Sequence, residues 1–271
     1  MADGYTSVVA TEMSPGGSMR RIVLPIFALT LSAVVVAQHA KDLSPPPPRI
    51  VDLGHPLSDA DPTWSGKPVF SHTTERQGDI LVGTFSTDEH FGTHVDAPAH
   101  FVPDGWTVDQ IPVIRLVRPG VMLDLRAKCA KNEDYRVTRE DIVLFERRNG
   151  AIQPGTIVLI ATGWDARWGD QARYRNEHDG AMHFPGVSAE AATLLTADRD
   201  VAAIGIDTPS IDYGPSSAYE AHHITLPHKV YNIENAAHLT DLPPTGFTVV
   251  VAPVNVKGGS GAPARVFAIV R

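Results

Sequence analysis

Three histidines and an aspartate with the spacing of metal ligands lie within one short segment of the chain. They are His90, His94, Asp96 and His100, in the sequence His-Phe-Gly-Thr-His-Val-Asp-Ala-Pro-Ala-His. Imidazole nitrogens and carboxylate oxygens are preferred ligands of zinc and manganese, and a set of three ligands leaves a coordination position open for water. A lone histidine would more often be a surface or core residue, but this spacing indicates a catalytic metal site.

Glycine and proline inside this segment predict that the four groups lie on an ordered loop. Gly92 disfavours a continuous helix, and Pro98 biases Ala97 towards an extended conformation. The loop would follow a strand predicted over residues 80–85, where a short apolar run is bounded by turn residues.

Short apolar runs elsewhere predict a mixed α/β or α+β domain. Seven strands are predicted, at residues 50–53, 80–85, 120–125, 156–161, 201–206, 248–252 and 266–270. Thr138 is predicted to cap the start of a helix that runs to Asn149, and the side chain of Asp141 is placed to accept from the backbone amide of Thr138 in return. Ser188 is predicted to cap a helix over residues 189–197. We find no internal repeat and no second domain boundary, so we expect one domain over residues 50–271.

Composition favours a small-molecule partner. The chain has 271 residues, of which 43% are apolar, enough for one full hydrophobic core. Its formal charge is −8 and its runs of lysine and arginine do not exceed two residues, so the basic footprint of a protein that binds nucleic acid or an anionic membrane is missing. The single cysteine, Cys129, rules out an intrachain disulfide and a cysteine-rich zinc site, and we expect a structural or surface thiol.

Residues 1–40 have the pattern of a leader that contains a secretory signal peptide at residues 19–37. Arg20 and Arg21 supply positive charge, residues 22–36 are almost entirely apolar, and Val35-Val36-Ala37 fits a cleavage site of small residues. The apolar run is shorter than the ~20 residues of a spanning helix, so we expect export to the periplasm without a permanent anchor. A cytoplasmic protein is the alternative if the leader is not functional. Residues 41–49, with four consecutive prolines, form a predicted spacer.

The segment of histidines and aspartate resembles the signature of the cyclase family of metal-dependent hydrolases, and the resemblance extends from about Val51 to the C-terminus. This resemblance implies that His90, His94 and Asp96 bind metal and that His100 acts as a general acid and base. It also implies a swivelling β/β/α domain, with a mixed β-sheet core and flanking helices, that assembles as a homodimer or a dimer of dimers.

A second element of the family is a histidine followed twelve residues later by a glutamate, which here corresponds to His222 and Glu234. By the same resemblance, these two residues complete a two-metal centre in which Asp96 bridges. His223 or His228 could take the place of His222, which is favoured on spacing alone. The implied cofactor is one or two divalent ions, Mn²⁺ or Zn²⁺.

Two further stretches match the family in kind. Trp64, in the sequence Pro-Thr-Trp-Ser-Gly, corresponds to an aromatic that packs against the substrate ring, although a core or lid position explains it as well. Ser260 lies in a Gly-Gly-Ser-Gly loop whose backbone amides could hold a substrate anion, and a hairpin turn explains the loop equally well. Asp207 and Asp212 follow a predicted strand and are candidates to orient ligand histidines.

The resemblance implies a hydrolase that cleaves the C–N bond of an aryl or cyclic amide with a metal-activated water. The implied substrate is an isatin-type lactam or an N-formylkynurenine-type formamide. An insertion over residues 164–185 and the leader favour the longer, often exported members of the family. The alternatives are lyase or lactonase chemistry on the same centre, and a periplasmic module that binds metal or ligand without turnover. The presence of His100 disfavours the binding module.

Overall fold

Strands supply most of the regular structure. A computed structural model describes residues 47–271; the predicted leader and most of the predicted spacer lie outside the described residues. In the described part, the strands are β1 (Arg49–Asp52), β2 (Ser71–Gln77), β3 (Ile80–Ser86), β4 (His94–Asp96), β5 (Val117–Asp124), β6 (Arg136–Val137), β7 (Ile157–Ala161), β8 (Glu177–His178), β9 (Ala181–Met182), β10 (Gly186–Val187), β11 (Ala203–Ile206), β12 (Tyr231–Glu234), β13 (Phe247–Pro253) and β14 (Gly261–Val270).

The helices are short and lie between the strands. Those of the described residues are α1 (Val113–Leu116), α2 (Arg126–Cys129), α3 (Arg139–Asn149), α4 (Gln171–Arg175), α5 (Ala189–Thr193) and α6 (Glu220–Thr225), and a π-helical turn (Leu194–Asp198) extends α5. Thr138 caps α3 as predicted, because its side chain and that of Asp141 each accept from the backbone amide of the other. Ser188 caps α5. None of these helices is long and apolar enough to cross a membrane.

Seven strands of the main sheet close into a ring. Their order is β14-β13-β5-β7-β11-β12-β4, and β4 pairs again with β14, while β1 pairs with the C-terminal part of β14. The pairings β5–β7, β7–β11 and β11–β12 are parallel, and the other pairings of this sheet are antiparallel. The predicted mixed β-sheet with flanking helices is confirmed, and its closure is a feature that the strand pattern did not predict.

Strand β7 is buried on both faces. Ile157 and Leu159 belong to a core cluster to which all seven strands of the ring contribute, so this cluster fills the ring. Val158 and Ile160 belong to a second cluster that includes residues of α3 and α5. Because successive residues of a strand point to opposite faces, one apolar run serves both cores.

One predicted strand lies outside the main sheet. Residues 80–85 form most of β3, but β3 pairs with β2 in a separate hairpin whose residues are exposed throughout. The ring is therefore completed by β4 and β12, which the sequence pattern did not predict.

Candidate metal centre

Two neighbouring strands bring three of the predicted ligands together. His94 and Asp96 are the first and last residues of β4, and their side chains share a face because alternate residues of a strand do so. In the antiparallel pairing of β4 with β12, His94 lies directly opposite Glu234. The predicted loop is thus wrong for His94–Asp96, because pairing with β12 on one side and β14 on the other makes this tripeptide a buried strand.

Helix α6 adds His222 to the same centre. His222 Nε2 lies 3.4 Å from Asp96 Oδ2 and 3.3 Å from Glu234 Oε1. Asp212 accepts hydrogen bonds from His222 Nδ1 at 2.7 Å and from the backbone amide of Ala221 at 2.8 Å. These bonds leave Nε2 facing the two carboxylates, which is the orienting arrangement that was predicted for Asp212.

His90 approaches the centre from the segment before β4. Its Nδ1 lies 2.7 Å from Asp96 Oδ1, and His94 Nε2 lies 3.3 Å from the same oxygen. The candidate donors form two groups. The first consists of His90, His94 and Asp96, and the second of Asp96, His222 and Glu234. Within each group the ligand atoms lie within 4.8 Å of one another. Asp96 belongs to both groups, which is the position of a bridging carboxylate.

The donor atoms fit a divalent cation. Asp96 and Glu234 are 0% and 5% exposed, and His94 Nε2 and Asp96 Oδ2 are buried without a hydrogen-bond partner among the described residues. Burying carboxylates is costly unless their charge is compensated, and buried polar atoms nearly always have a partner. A bound ion would satisfy both atoms, and a mixed set of imidazoles and carboxylates suits zinc or manganese.

The carboxylates of the centre favour protonation of its histidines. Burial opposes a charge on His94, but the neighbouring carboxylates of Asp96 and Glu234 outweigh it and raise the pKa of His94 to about 10. Against its own burial, His222 has its pKa raised by its hydrogen bond to Asp212 and by the same two carboxylates. Metal must displace these protons, so its binding is expected to release them.

His100 stands beside the two donor groups rather than within them. Its ring stacks on His90 with centroids 4.0 Å apart and lies edge-on to His222 at 5.9 Å. His100 ends a 3₁₀ turn (Pro98–His100) and is exposed at the rim of the centre. Desolvation by its neighbours and the positive charges of His90 and His222 lower the pKa of His100 to about 4, although the nearby carboxylates act in the opposite direction. The environment of His100 therefore favours an uncharged ring at neutral pH.

A cavity of about 160 Å³ opens beside the centre. His90 is part of its lining, together with Trp64, Phe91 and Met182. Trp64 is 47% exposed, and its ring lies edge-on to Phe184 at 6.4 Å. Trp64 thus lies where an aromatic wall can contact a flat ring that approaches the metal ligands.

The glycine loop that carries Ser260 holds a carboxylate of the chain itself. It joins β13 to β14, which pair antiparallel, so the hairpin interpretation is correct. Glu89 Oε2 accepts from the backbone amides of Ser260 at 2.8 Å and Gly261 at 3.2 Å, and from Ser260 Oγ at 2.7 Å. Ser260 Oγ also lies 3.1 Å from His90 Nε2. Two amides of the proposed anion cradle are therefore engaged by Glu89, and the Ser260 hydroxyl contacts a predicted metal ligand.

Two residues that were not predicted support His94. Asn235 Nδ2 donates to the Gly92 carbonyl at 2.8 Å and lies 3.4 Å from His94 Nδ1. Tyr174 donates its hydroxyl to Asn235 Oδ1 at 2.7 Å. Asn235 directly follows Glu234 in the sequence, which was a usable signal, whereas Tyr174 lies in the insertion with no local pattern to indicate it.

Other residues considered from the sequence lie away from the centre. His223 and His228 are exposed and belong to neither donor group, so the structure brings His222 to the centre and not these two. Asp207 accepts hydrogen bonds from the backbone amides of residues 162–164 and does not contact a ligand histidine. Cys129 is buried, and burial raises the pKa of its thiol to about 12, as expected of a structural cysteine.

A closed mixed sheet thus presents histidine and carboxylate donors beside an aromatic-lined cavity, which is the arrangement expected of a metal-dependent hydrolase. A family model described as "Putative cyclase" matches residues 51–213. The chain belongs to this cyclase family.

The relatives carry names of hydrolases, two of which act on amides. The solved structure of isatin hydrolase A from Ralstonia solanacearum is 32% identical, with a TM-score of 0.77, and covers 92% of this chain and 100% of that one. A solved potential metal-dependent hydrolase with cyclase activity is 28% identical, with a TM-score of 0.65, over 83% of this chain and 100% of that one. Kynurenine formamidase of Salinibacter ruber is 26% identical over 80% of this chain and 95% of its own length. The predicted class, a metal-dependent enzyme acting on C–N bonds other than peptide bonds, is confirmed.

Proposed function

We propose that the protein hydrolyses the C–N bond of a cyclic aryl amide, an isatin-type lactam, with an aryl formamide of the N-formylkynurenine type as the second candidate substrate. The observation that carries this proposal is that His90 belongs both to the buried donor cluster and to the wall of the aromatic-lined cavity. The likeness to isatin hydrolase A supports the lactam, and the likeness to kynurenine formamidase supports the formamide.

The ligands are assigned to one or two ions, Zn²⁺ or Mn²⁺. His90, His94 and Asp96 would hold the first ion, and His222 and Glu234, together with Asp96, would hold the second. When bound, such an ion would act as a Lewis acid and make water a nucleophile at neutral pH by lowering its pKa towards about 7.

Proton transfer is assigned to His100. Its uncharged ring takes a proton from the attacking water and returns it to the amide nitrogen as the C–N bond breaks, so that the carbonyl carbon becomes a carboxylic acid. Trp64 and Phe91 hold the aromatic ring of the substrate and exclude water from that side. Ser260 is assigned to substrate binding through its hydroxyl, which lies beside His90.

A substrate panel on metal-depleted protein tests the proposal. The chelated protein is resupplied separately with Mn²⁺ and Zn²⁺ and assayed on isatin, N-formylkynurenine, a simple lactam and a lactone. We expect one of the two metals to restore isatin hydrolysis. Asp96→Ala should abolish activity and remove the metal held by these two donor groups, because Asp96 is common to both.

The matched control is His72→Ala, which removes an exposed imidazole of β2 and should change neither activity nor metal content. Full activity in the metal-depleted protein would contradict the proposal. Turnover of the lactone alone would favour lactonase chemistry. Tight metal binding with no turnover of the whole panel would favour the binding module.

We further propose that the chain is exported and assembles as a homodimer or a dimer of dimers. Export rests on the leader pattern of residues 1–40. N-terminal sequencing of protein from the native cell should begin at or shortly after Gln38, and a cytosolic protein that retains residues 22–36 would contradict export. Assembly is supported by the exposed β2–β3 hairpin, whose apolar side chains need a cover.

A further inference from the structure

A second cluster of histidine and carboxylate groups lies outside the metal centre, on the insertion of residues 164–185. His178 lies in β8, His183 follows β9, and Glu133 comes from the segment between α2 and β6. Their candidate ligand atoms lie within 4.8 Å of one another. The two imidazoles are parallel, with centroids 3.7 Å apart, and His178 Nε2 lies 3.1 Å from Glu133 Oε1.

Two outer carboxylates determine which ring nitrogens face the cluster. Asp134 Oδ2 lies 2.8 Å from His183 Nδ1, and Asp179 Oδ2 lies 3.3 Å from His178 Nδ1. A carboxylate that accepts from Nδ1 orients the ring so that Nε2 faces the other groups of the cluster. This is the arrangement in which histidines bind metals in proteins.

One of these nitrogens is buried without a partner. His183 Nε2 makes no hydrogen bond to any described residue, whereas buried polar atoms normally have one. Glu133 Oε2 accepts from Asn176 at 2.8 Å, which leaves Oε1 directed towards the imidazoles. The carboxylates of Glu133, Asp134 and Asp179 surround the two rings, so a cation would satisfy both the unpartnered nitrogen and the negative charge of these groups.

We propose that Glu133, His178 and His183 form a second divalent-metal site that binds Zn²⁺. Two imidazoles and a carboxylate are a common set of zinc ligands. Tetrahedral zinc places its ligand atoms about 3.4 Å apart, so side-chain movements on the order of 1 Å close the cluster. The side chains of Glu133 and His178 are each 43% exposed, so the fourth position is open to water.

The ion would hold the insertion against the substrate cavity. Strands β8 and β9 have two residues each, and so short a hairpin has little stability of its own. Met182 lines the cavity, and Phe184 packs against Trp64. Zinc would tie the residues that flank this wall to Glu133, which lies outside the insertion. The site shares no residue with the centre at Asp96 and does not depend on the proposed activity.

Zinc analysis in a background without the main centre tests the site. In the full-length Asp96→Ala protein, supplied with Zn²⁺ and passed over a chelating resin, we expect about one zinc ion per chain by elemental analysis. Adding His178→Gln and His183→Gln should remove this ion. Adding His72→Gln, which removes an exposed imidazole of β2, should not.

Thermal unfolding gives a second readout. Zinc should raise the Tm of the Asp96→Ala protein and leave that of the variant without His178 and His183 unchanged, because binding to the folded state alone stabilises it. If loss of both histidines unfolds the chain, Glu133→Gln provides a second test, because it keeps the shape of the side chain. We expect this substitution to weaken zinc binding at least about tenfold. Equal zinc content and equal Tm shifts with and without these substitutions, or no zinc in the Asp96→Ala protein, would overturn the proposal.

Discussion

His100 is the residue of the centre whose position fits proton transfer better than metal binding. It stacks on His90 at 4.0 Å but belongs to neither donor group. We expect His100→Ala to keep its fold and its metal while turnover falls about 10²- to 10⁴-fold, the usual contribution of a positioned general acid or base. This loss corresponds to about 3 to 5 kcal/mol of transition-state stabilisation. Steady-state kinetics and elemental analysis of one preparation measure both effects.

His72→Ala is again the control, since it removes an imidazole from the exposed hairpin and should leave turnover unchanged. A parallel fall in metal content and turnover of His100→Ala would make His100 a ligand. A change of only a few-fold in turnover would remove His100 from the mechanism.

His55 links the stability of the fold to pH outside the metal centre. Its ring stacks on Trp168 with centroids 4.0 Å apart, and its Nε2 is buried without a partner among the described residues. Burial and the charge of His238 lower the pKa of His55 from 6.5 to about 4, and Asp52 offsets this only in part. As the pH is lowered, His55 of the unfolded chain gains a proton near pH 6.5, whereas His55 of the folded chain gains one only near pH 4. The free energy of unfolding therefore decreases as the pH is lowered from 6.5 to about 4.

For this half-buried ring we expect the loss to be on the order of 2 kcal/mol. His55→Phe keeps the stacked ring but cannot titrate. Urea unfolding of both proteins in a chelating buffer, at about pH 7.5 and about pH 4.5, should show a smaller decrease for the variant. The same decrease in both proteins would show that His55 does not carry this pH dependence.

The candidate donor residues of the centre could be predicted, those of residues 90–100 from their types and spacing and His222 and Glu234 from the family resemblance. Their supporting residues could not, because each acts through a distant contact. Glu89 accepts from Ser260, 171 positions away, and Asn235 lies beside His94, 141 positions away. No local pattern marks such a pair, since the contact exists only once the sheet has closed.

At the scale of elements, prediction succeeded where a strand is an apolar run and failed where it is not. Strand β7 reads Ile-Val-Leu-Ile-Ala and was predicted to within one residue. Strands β4 and β12 read His-Val-Asp and Tyr-Asn-Ile-Glu, and they are strands because their neighbours in the ring pair with them. Pairing overrides weak intrinsic preference in this way, and here it does so at the ligand-bearing strands.

Helix α6 directs His222 Nε2 towards the centre because Asp212 accepts hydrogen bonds from His222 Nδ1 and from the backbone amide of Ala221 at the start of the helix. Asp212→Asn keeps the shape of the side chain but can no longer accept all of these hydrogen bonds with a charged group. We expect the fold to persist and metal affinity to fall about 10- to 100-fold, as for other residues that orient a metal-binding histidine. Competition with a chromophoric chelator measures this affinity.

Glu220→Gln is the matched control, because Glu220 is an exposed acidic residue at the start of the same helix. It removes one negative charge from the neighbourhood without touching His222. If both variants bound metal equally well, Asp212 would have no specific orienting role.

At the scale of the whole molecule, strand β14 closes the ring. Strand β14 is ten residues long and pairs with β4 at its start, with β13 along most of its length and with β1 near its end. Its first residue, Gly261, permits the close approach to β4, since a Cβ there would clash with the His90 ring and the Val95 carbonyl. The sequence marked this glycine as part of a turn, but its second role depends on a partner strand that only the folded molecule supplies.

The β2–β3 hairpin projects apolar side chains that the described part of the chain does not cover. Ile80, Leu81 and Phe85 are 66%, 59% and 60% exposed. A two-stranded hairpin has little stability alone in water, and contiguous exposed apolar side chains mark interaction surfaces. Phe85 stacks on Phe70, which in turn stacks on Phe91 in the wall of the cavity. A second copy of the chain on this hairpin would therefore also steady the cavity.

We expect Leu81→Lys to dissociate the oligomer, because Leu81 lies on the same face of β3 as Phe85 and burying an ammonium group in an interface is far costlier than leaving it in water. Sedimentation analysis should give a dimer or larger assembly for the unmodified protein and a monomer for the variant. The monomer should retain its metal and show a raised KM, since the cavity wall loses its support through Phe85. Gln153→Lys, a charge added at an exposed polar position outside the hairpin, is the control and should leave assembly unchanged. A monomeric unmodified protein, or a variant that assembles as well as the control, would contradict self-association through this hairpin.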